Sequence, residues 1–253
     1  MRRRSFISSL PLLSGASLYS PQRTHAAEKP RRSFKPVGSI TEPAREIPVI
    51  EKTDVLVVGG GPAGVAAAIS ASRTGARTIL VERYNHLGGL WTGGLVLPLL
   101  STHGLQKNGR FEQVIFGISD EIAQKLAGMG MAVEEINPIV DPEAAKYVLD
   151  VMIKESGVQM LYHCWASNVI VENNRISAVI LDTKSGRVAV QAEMIVDCTG
   201  DGDILHMAGE EHEELKYNIG LVHRLGNIDK QSPDTKTFLS AGKHRCRVST
   251  GSI

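Results

Sequence analysis

The sequence predicts an α/β fold in which a parallel β-sheet is combined with a three-stranded antiparallel β-meander. Residues 54–82 follow the order strand, glycine turn, helix, strand. Three short β-rich segments lie between residues 168 and 191, and the apolar segment 194–197 then leads into a second glycine-rich turn. Parallel strands need long crossovers, whereas a meander needs only short turns. The two patterns together therefore predict a meander inserted into a parallel arrangement.

The segment 54–82 reads DVLVVGGGPAGVAAAISASRTGARTILVE and is the most informative part of the chain. Gly59 lets the chain turn sharply from the first strand, and Gly61 lets a pyrophosphate approach the backbone. Gly64 and the alanines after it allow the helix, predicted over 62–72, to lie close to the sheet. The helix N-terminus offers N–H groups and a positive dipole end to phosphates. Glu82 ends the second strand close to the spacing of about 20 residues at which a carboxylate binds a ribose.

A glycine-rich turn can also belong to an α/β unit that binds nothing. The agreement of the strand, the helix, the second strand and the terminal acid favours a dinucleotide site over that alternative. The segment does not distinguish NAD from FAD, because sites for both dinucleotides begin in this way. The choice between them depends on the rest of the chain.

Two helices are predicted after a glycine-rich loop at 83–94. The first spans 113–126 and places four apolar residues on one face: Val114, Ile118, Ile122 and Leu126. The second begins at Asp141, a suitable N-cap, with Pro142 in the first helical position, and ends at Gly157. Its apolar stripe predicts core packing and consists of Ala145, Val148, Leu149, Met152 and Ile153.

The following segments are predicted as strands. Residues 158–163 form one strand, and 168–172, 176–182 and 187–191 form the meander, separated by the turns Asn173-Asn174 and Lys184-Ser185-Gly186. A further buried strand at 194–197 runs into Thr199-Gly200-Asp201. An NAD domain crosses between parallel strands with a helix. A meander in the crossover, followed by a strand that ends in Thr-Gly-Asp, resembles instead the flavoproteins with two dinucleotide-binding domains, and this resemblance favours FAD.

Composition excludes several classes of function. The net charge is +1, with 28 basic and 27 acidic residues, which gives no indication of a nucleic-acid partner. No apolar run reaches the roughly 18–20 residues that a membrane span requires. The three cysteines, Cys164, Cys198 and Cys246, form no CxxC pair. The acidic segment 209–214 contains His212 but no further ligands at metal spacing, so we interpret it as solvated surface.

The N-terminus predicts an export signal over residues 1–27. Arg3-Arg4-Ser5-Phe6-Ile7 resembles the twin-arginine signal, and a weakly apolar stretch and small residues follow it. A disordered basic terminus is the alternative. The twin-arginine route exports folded proteins, which suits a protein that takes up its cofactor in the cytoplasm. We therefore expect a periplasmic or extracellular protein whose residues 28–50 form a solvated linker.

Three motifs resemble the bacterial FAD-dependent oxidoreductase family of two-dinucleotide-binding-domain flavoproteins, with a glutathione-reductase-like FAD fold. They are the segment 54–82, LGGLWTGGLV from residue 87, and IVDCTGDGDILHMAG from residue 195. The resemblance covers residues 52–230 and implies a Rossmann-like FAD-binding sheet. It also implies cofactor-binding roles for Gly59, Gly61, Pro62, Ala63, Gly64, Glu82, Arg83, Gly88, Gly89, Ala166, Thr199, Gly200 and Asp201. Among these, Ala166 would touch the adenine through its backbone.

The resemblance places the FAD-binding domain at 51–215 and the start of an incomplete substrate domain at 216–253. We expect the substrate domain to be truncated, because 253 residues leave little room for it. The expected function is oxidation or reduction of a small organic substrate by hydride transfer through FAD. The alternatives are a non-catalytic remnant that binds nucleotide weakly and an NAD-binding dehydrogenase. No residue is identified as a catalytic acid or base; His103 and Cys198 are interpreted as packing or surface residues.

Overall fold

The computed structural model describes residues 37–100, 102–133, 137–213 and 222. The described residues from Glu46 onward belong to one compact unit, while the described stretch 37–45 contains neither helix nor strand. The predicted export signal and all of the predicted substrate domain except Val222 lie outside the described residues.

The predicted strand–turn–helix–strand unit is present. Strand β1 spans Val49–Val58, helix α1 spans Pro62–Arg73, and strand β2 spans Thr78–Val81. Pro62 occupies the first turn of α1, where its missing N–H costs nothing. Gly75, with a φ of +93°, lies in the turn that follows the helix. The strand β1 begins within the predicted linker, because the carbonyl of Pro48 accepts a bond from Ala189 and holds the chain in the sheet.

The later helices differ in how well the sequence predicted them. Helix α2 spans Ile118–Gly128, helix α3 spans Pro142–Glu155, and helix α4 spans Asp203–Ala208. The prediction for α3 is confirmed, since its whole apolar stripe is buried. The prediction for α2 was wrong at its start. Residues Phe111–Gln113 form a short strand paired with His103–Leu105, and Gly117, with a φ of +73°, immediately precedes the helix.

In the part of the chain that the structure describes, the main sheet has six strands. Four short strands are numbered β3 to β6 in chain order: His103–Leu105, Phe111–Gln113, Ala132–Val133 and Ile139–Val140. Besides β1 and β2, the main sheet contains β7 (Gln159–Leu161), β8 (Trp165–Glu172), β9 (Arg175–Thr183) and β10 (Gly186–Asp197). The strand order is β7-β2-β1-β10-β9-β8. β7, β2, β1 and β10 are mutually parallel, whereas β8, β9 and β10 are antiparallel. The α/β fold with a parallel sheet and a meander is therefore confirmed.

Strand β10 joins the two halves of the sheet. The sequence predicted separate strands at 187–191 and 194–197, but β10 is continuous. It pairs with β9 up to Gln191 and with β1 from Ala189 to Asp197. Met194 is 61% exposed, so the prediction of a buried strand at 194–197 was too strong. Backbone pairing to β1, more than side-chain burial, holds this segment in place.

The sheet separates two apolar clusters. Val57 of β1 packs with Val65 of α1 and Leu149 of α3 on the helical face. Its neighbours Leu56 and Val58 pack on the other face, with Val179, Val190 and other residues of the meander. This alternation follows from the two-residue period of a strand. Among the described residues, no helix has the length and apolar character needed to cross a bilayer.

Candidate functional site

Three glycine-bearing segments meet at the carboxyl end of β1. The N–H of Gly88 donates to the carbonyl of Gly60 at 2.9 Å, and the N–H of Cys198 donates to the carbonyl of Val58 at 2.8 Å. A Cβ atom added to Gly89 would lie 3.0 Å from the Cα of Gly61. The structure thus brings together the turn 59–64, the loop 83–94 and the second turn at 199–202. Ligands of open α/β sheets bind at this edge.

Gly59 has a second role that the sequence did not reveal. Its φ is +105°, as expected for a sharp turn. A Cβ atom at this position would lie 2.2 Å from the carbonyl oxygen of Cys198, and one at Gly64 would lie 3.3 Å from the Cβ of Cys198. The two glycines therefore let the end of β10 approach the first turn closely. Only the parallel pairing of β1 with β10 creates this requirement.

The N-terminus of α1 is open. Its N-cap is Gly61, which has no side chain with which to cap the helix, and its first turn contains no acidic residue. A Cβ atom at Gly61 would meet nothing within 4 Å, so space lies in front of the turn. Backbone N–H groups and the positive end of the helix dipole remain available there for an anion. Pro62 and Ala63 form the start of this helix, as the sequence predicted.

Glu82 is buried beside the first turn, with 6% of its surface exposed. Its Oε2 accepts a bond from the N–H of Gly60 at 2.6 Å, and its Oε1 accepts one from the N–H of Tyr84 at 2.8 Å. The carboxylate therefore fixes the glycine turn to the end of β2. Each oxygen can accept more than one hydrogen bond, so this geometry still allows a bond from a hydroxyl group.

The loop after β2 is held by its own threonine. The Oγ of Thr92 donates to the carbonyl of Leu87 at 2.6 Å. A Cβ atom at Gly88, whose φ is +97°, would lie 2.5 Å from the Cγ2 of Thr92. Gly89 begins a short 3-10 turn that ends at Trp91. Because the loop is pinned in this way, the backbone at Gly88 and Gly89 lies against the first turn.

Asp197, which the sequence analysis passed over, organises the second glycine turn. Its Oδ1 accepts from the N–H and the hydroxyl of Thr199 at 3.0 and 2.7 Å. Its Oδ2 accepts from the N–H groups of Ile204 and Leu205 at 3.0 and 3.2 Å and so caps α4. The Oγ of Thr199 also accepts from the N–H of Asp203 at 2.9 Å. Thr199 is therefore bonded within the turn, while Gly200 and Asp201 are exposed. The order Asp-x-Thr-Gly before a short helix is the signal that could have identified this residue.

The remaining predicted residues are Arg83 and Ala166, which lie near the backbone of Glu82. The N–H of Cys164 donates to the carbonyl of Glu82 at 3.1 Å, which places the start of β8 beside the end of β2. Ala166 is buried in β8 and pairs with Leu181. The guanidinium of Arg83 lies over the ring of Trp165. Arg83 and the strand that carries Ala166 are thus neighbours.

Several side chains do not contribute to this site. Burial raises the pKa of Cys164 and Cys198, the latter with a smaller contribution from Asp197, so both thiols are neutral at neutral pH. The part of the chain that the structure describes contains no group of three or more His, Cys, Asp or Glu residues suited to a metal ion. His103 pairs with Gln113 in the small hairpin. Residues 210–213 are exposed, in agreement with a solvated surface.

Comparison with known proteins gives a family match. The family model described as FAD dependent oxidoreductase matches residues 54–229. Thiamine thiazole synthase from Aeropyrum pernix is 30% identical over 162 residues, which cover 59% of this chain and 55% of that protein. The enzyme of the same name from Methanococcus vannielii is 25% identical, and the match covers 66% of this chain and 64% of that protein. The chain thus spans between about half and two thirds of the length of these curated relatives.

Solved structures give weaker similarities. L-proline dehydrogenase from P. horikoshii matches with a TM-score of 0.45 at 16% identity, covering 66% of this chain and 58% of the other. A geranylgeranyl bacteriochlorophyll reductase-like protein from Thermoplasma acidophilum matches with a TM-score of 0.43 at 19% identity, covering 63% and 42% of the two chains.

Proposed function

The chain belongs to the FAD-dependent oxidoreductase family, and we propose that it transfers a hydride between a small organic substrate and FAD. The observation that carries this proposal is the uncapped N-terminus of α1, with open space at Gly61, at the place where three glycine segments meet. Family membership confirms the resemblance seen in the sequence, and FAD is the cofactor that it assigns.

The residues of the site fit this cofactor. A pyrophosphate needs N–H donors and an approach free of side chains, and the start of α1 at Gly61 offers both. A ribose needs a hydroxyl acceptor, and the buried carboxylate of Glu82 lies one hydrogen bond from the same turn. We propose that Gly59, Gly61, Pro62, Ala63 and Gly64 hold the pyrophosphate and that Glu82 binds the adenosine ribose.

The second half of the site would orient the flavin end of the cofactor. The backbone of Gly88 and Gly89 lies against the first turn, and the exposed residues Gly200 and Asp201 lie in the turn that follows β10. We propose that these four residues, with Thr199, contact the cofactor beyond its pyrophosphate. The flavin supplies the hydride chemistry when it is bound, and the protein supplies position and electrostatics. The substrate is a small organic molecule in this proposal.

Reconstitution with FAD tests the binding step. The refolded or purified chain is titrated with FAD, and bound flavin is measured from its visible absorption after gel filtration. We expect Gly61→Val to lose bound FAD while retaining its circular dichroism, because the new side chain has room in the protein but occupies the place of the phosphates. Gly128→Val, at the end of α2 and also with open space, is the matched control. Equal flavin content in both variants would refute the site.

Anaerobic reduction tests the hydride step. The FAD-loaded chain is mixed with individual amino acids, hydroxy acids or NADH, and bleaching of the flavin band is followed. Bleaching by an organic substrate supports the oxidoreductase. Bound FAD that no compound bleaches favours the non-catalytic alternative, and binding of NAD in place of FAD would favour a nicotinamide dehydrogenase.

We also propose export by the twin-arginine machinery, supported by the Arg3-Arg4 motif. The precursor with Arg3→Lys and Arg4→Lys should remain in the cytoplasm, whereas a variant with Arg45→Lys and Arg110→Lys, which alters no Arg-Arg pair, should be exported normally. Periplasmic delivery of the first variant would leave only a general secretion signal.

A further inference from the structure

A row of flat side chains lies on the surface next to Glu82. The guanidinium carbon of Arg83 is 5.0 Å from the centre of the Trp165 ring and 4.8 Å from the centre of the Tyr84 ring. Tyr84 in turn stacks on His86, with ring centres 5.8 Å apart and planes inclined by 11°. Trp165 and Tyr84 are 51% and 49% exposed. Large aromatic faces are therefore held in order without being buried.

The backbone fixes this row. The N–H of Cys164 donates to the carbonyl of Glu82, and the N–H of His163 donates to the carbonyl of Tyr84 at 3.3 Å. His163 has a φ of +54°, a left-handed conformation at the turn between β7 and β8. The turn directs the chain back toward β2, so that Trp165 reaches Arg83. A position held by two backbone bonds and an unusual turn is well defined even though its side chains face water.

The row continues the order of groups in the proposed nucleotide site. The open start of α1 suits a pyrophosphate, and Glu82, bonded to Gly60 at 2.6 Å, suits a ribose diol. Arg83 follows Glu82 in sequence, and its guanidinium lies over the ring of Trp165. We propose that Trp165, together with Arg83, stacks on the adenine base of the dinucleotide and so strengthens its binding. This inference rests on the proposed function, because it assumes that FAD occupies the site.

The alternative is that Trp165 only packs on Arg83 to stabilise the turn. Half of its surface is exposed, so the ring gains only part of the free energy that full burial would provide. An exposed cation–π pair contributes little to stability, about 0.5–1 kcal/mol. A flat base placed on the open face would bury both the base and the ring. Stacking of a base on an aromatic side chain is sequence-tolerant and strong in other nucleotide sites.

The affinity for ADP, which lacks the flavin, tests this proposal by calorimetry. We expect Trp165→Ala to weaken ADP binding on the order of tenfold, the range expected from stacking energies. Trp165→Phe should restore most of the affinity, and FMN, which has no adenine, should bind equally to all variants. Tyr147→Ala removes an aromatic ring that is 62% exposed on α3 and is the matched control. CDP, with its smaller base, should bind more weakly than ADP to the parent and lose less on Trp165→Ala.

Fluorescence gives a second test with Trp165 intact. The chain has two tryptophans, so Trp91→Phe leaves Trp165 as the single reporter. We expect saturating ADP to quench and shift its emission. If ADP binds by calorimetry but neither the emission of Trp165 nor the affinity of Trp165→Ala changes, the stacking proposal fails while the nucleotide site stands. If neither ADP nor FAD binds, both proposals fail.

Discussion

Helices α1 and α3 have similar N-terminal sequences, but they differ in whether the N-cap side chain accepts hydrogen bonds from the first backbone N–H groups. Both place a proline in the first turn. In α3 the N-cap is Asp141, whose Oδ1 accepts from the N–H groups of Glu143 and Ala144 at 2.9 Å. In α1 the N-cap is Gly61, which carries no side chain that could accept from the first turn. The N-terminus of α3 is closed by its own carboxylate, and that of α1 is open.

This difference separates a structural helix from a binding helix. The first N–H groups of any helix need acceptors, and an acidic residue satisfies them and neutralises the positive end of the dipole. α3 has Asp141 and Glu143 for this purpose, while the first turn of α1 has no acidic residue. The missing acceptor at α1 is consistent with a ligand that supplies its own negative charge. Open space in front of Gly61 leaves room for that ligand.

The largest effect should come from giving α1 the cap of α3. Gly61 has an extended conformation with φ −68° and ψ −176°, and its Cβ direction is free, so Gly61→Asp fits without strain. The new carboxylate would satisfy the N–H groups and repel the pyrophosphate. We expect FAD affinity to fall about a hundred-fold, since hydrogen bonds to charged groups contribute roughly 1.5–3 kcal/mol and the helix dipole contributes about 0.3–2 kcal/mol. Calorimetry measures the affinity, and thermal unfolding should show unchanged or slightly higher stability. Unchanged affinity would contradict the assignment of this helix.

The second largest effect should come from Glu82, whose carboxylate accepts from the glycine turn before α1. Glu82→Ala removes the proposed partner of the ribose, and hydrogen bonds to charged groups are worth roughly 1.5–3 kcal/mol, so FAD affinity should fall about ten- to a hundred-fold. The Glu82→Ala variant should also be less stable than the parent, because the N–H of Gly60 loses its acceptor. Glu82→Gln keeps one acceptor oxygen and should lie between the parent and Glu82→Ala in both measurements. An affinity that follows stability alone would give Glu82 a purely structural role.

Removing the cap of α3 should lower the stability of the protein and leave its FAD affinity nearly unchanged. Asp141→Ala leaves two N–H groups without their carboxylate acceptor and should lower the free energy of unfolding by about 0.5–2 kcal/mol. Asp141→Ser, which can still cap the helix, should recover most of it. FAD affinity should stay within about twofold of the parent. A loss of affinity as large as that of Gly61→Asp would remove the distinction between the two helices.

The smallest effect concerns the thiol of Cys198, a residue that lies close to the start of α1. The Cβ of Cys198 lies close to Gly64, and burial, followed by the charge of Asp197, raises the pKa of this thiol. A raised pKa means that thiolate is scarce at neutral pH. With Cys164→Ser and Cys246→Ser in place, iodoacetamide should react slowly and accelerate only above the usual cysteine pKa of about 8.5. Rapid reaction at neutral pH would indicate that the dipole of α1 acts on this thiol and not toward a ligand.

Sequence patterns predicted the elements whose causes are local. The cap at Asp141 and the stripe of α3 were identified because capping and a helical period need only neighbouring residues. Residues 113–117 were assigned to α2 because their apolar spacing fits a helix, but the pairing of Phe111–Gln113 with His103–Leu105 overrides that pattern. The division of β10 into two strands failed for the same reason, since its second half is held by β1.

The sequence by itself determined the parallel α/β unit, the meander and the family of the protein, because glycine spacing and strand periodicity are carried by residues close in the chain. The tertiary structure alone decided that Gly59 must accommodate the carbonyl of Cys198, that Asp197 holds the second turn, and that Trp165 reaches Arg83. These contacts join residues from distant parts of the chain. They depend on which strands become neighbours in the sheet, and no local pattern of residues encodes that order.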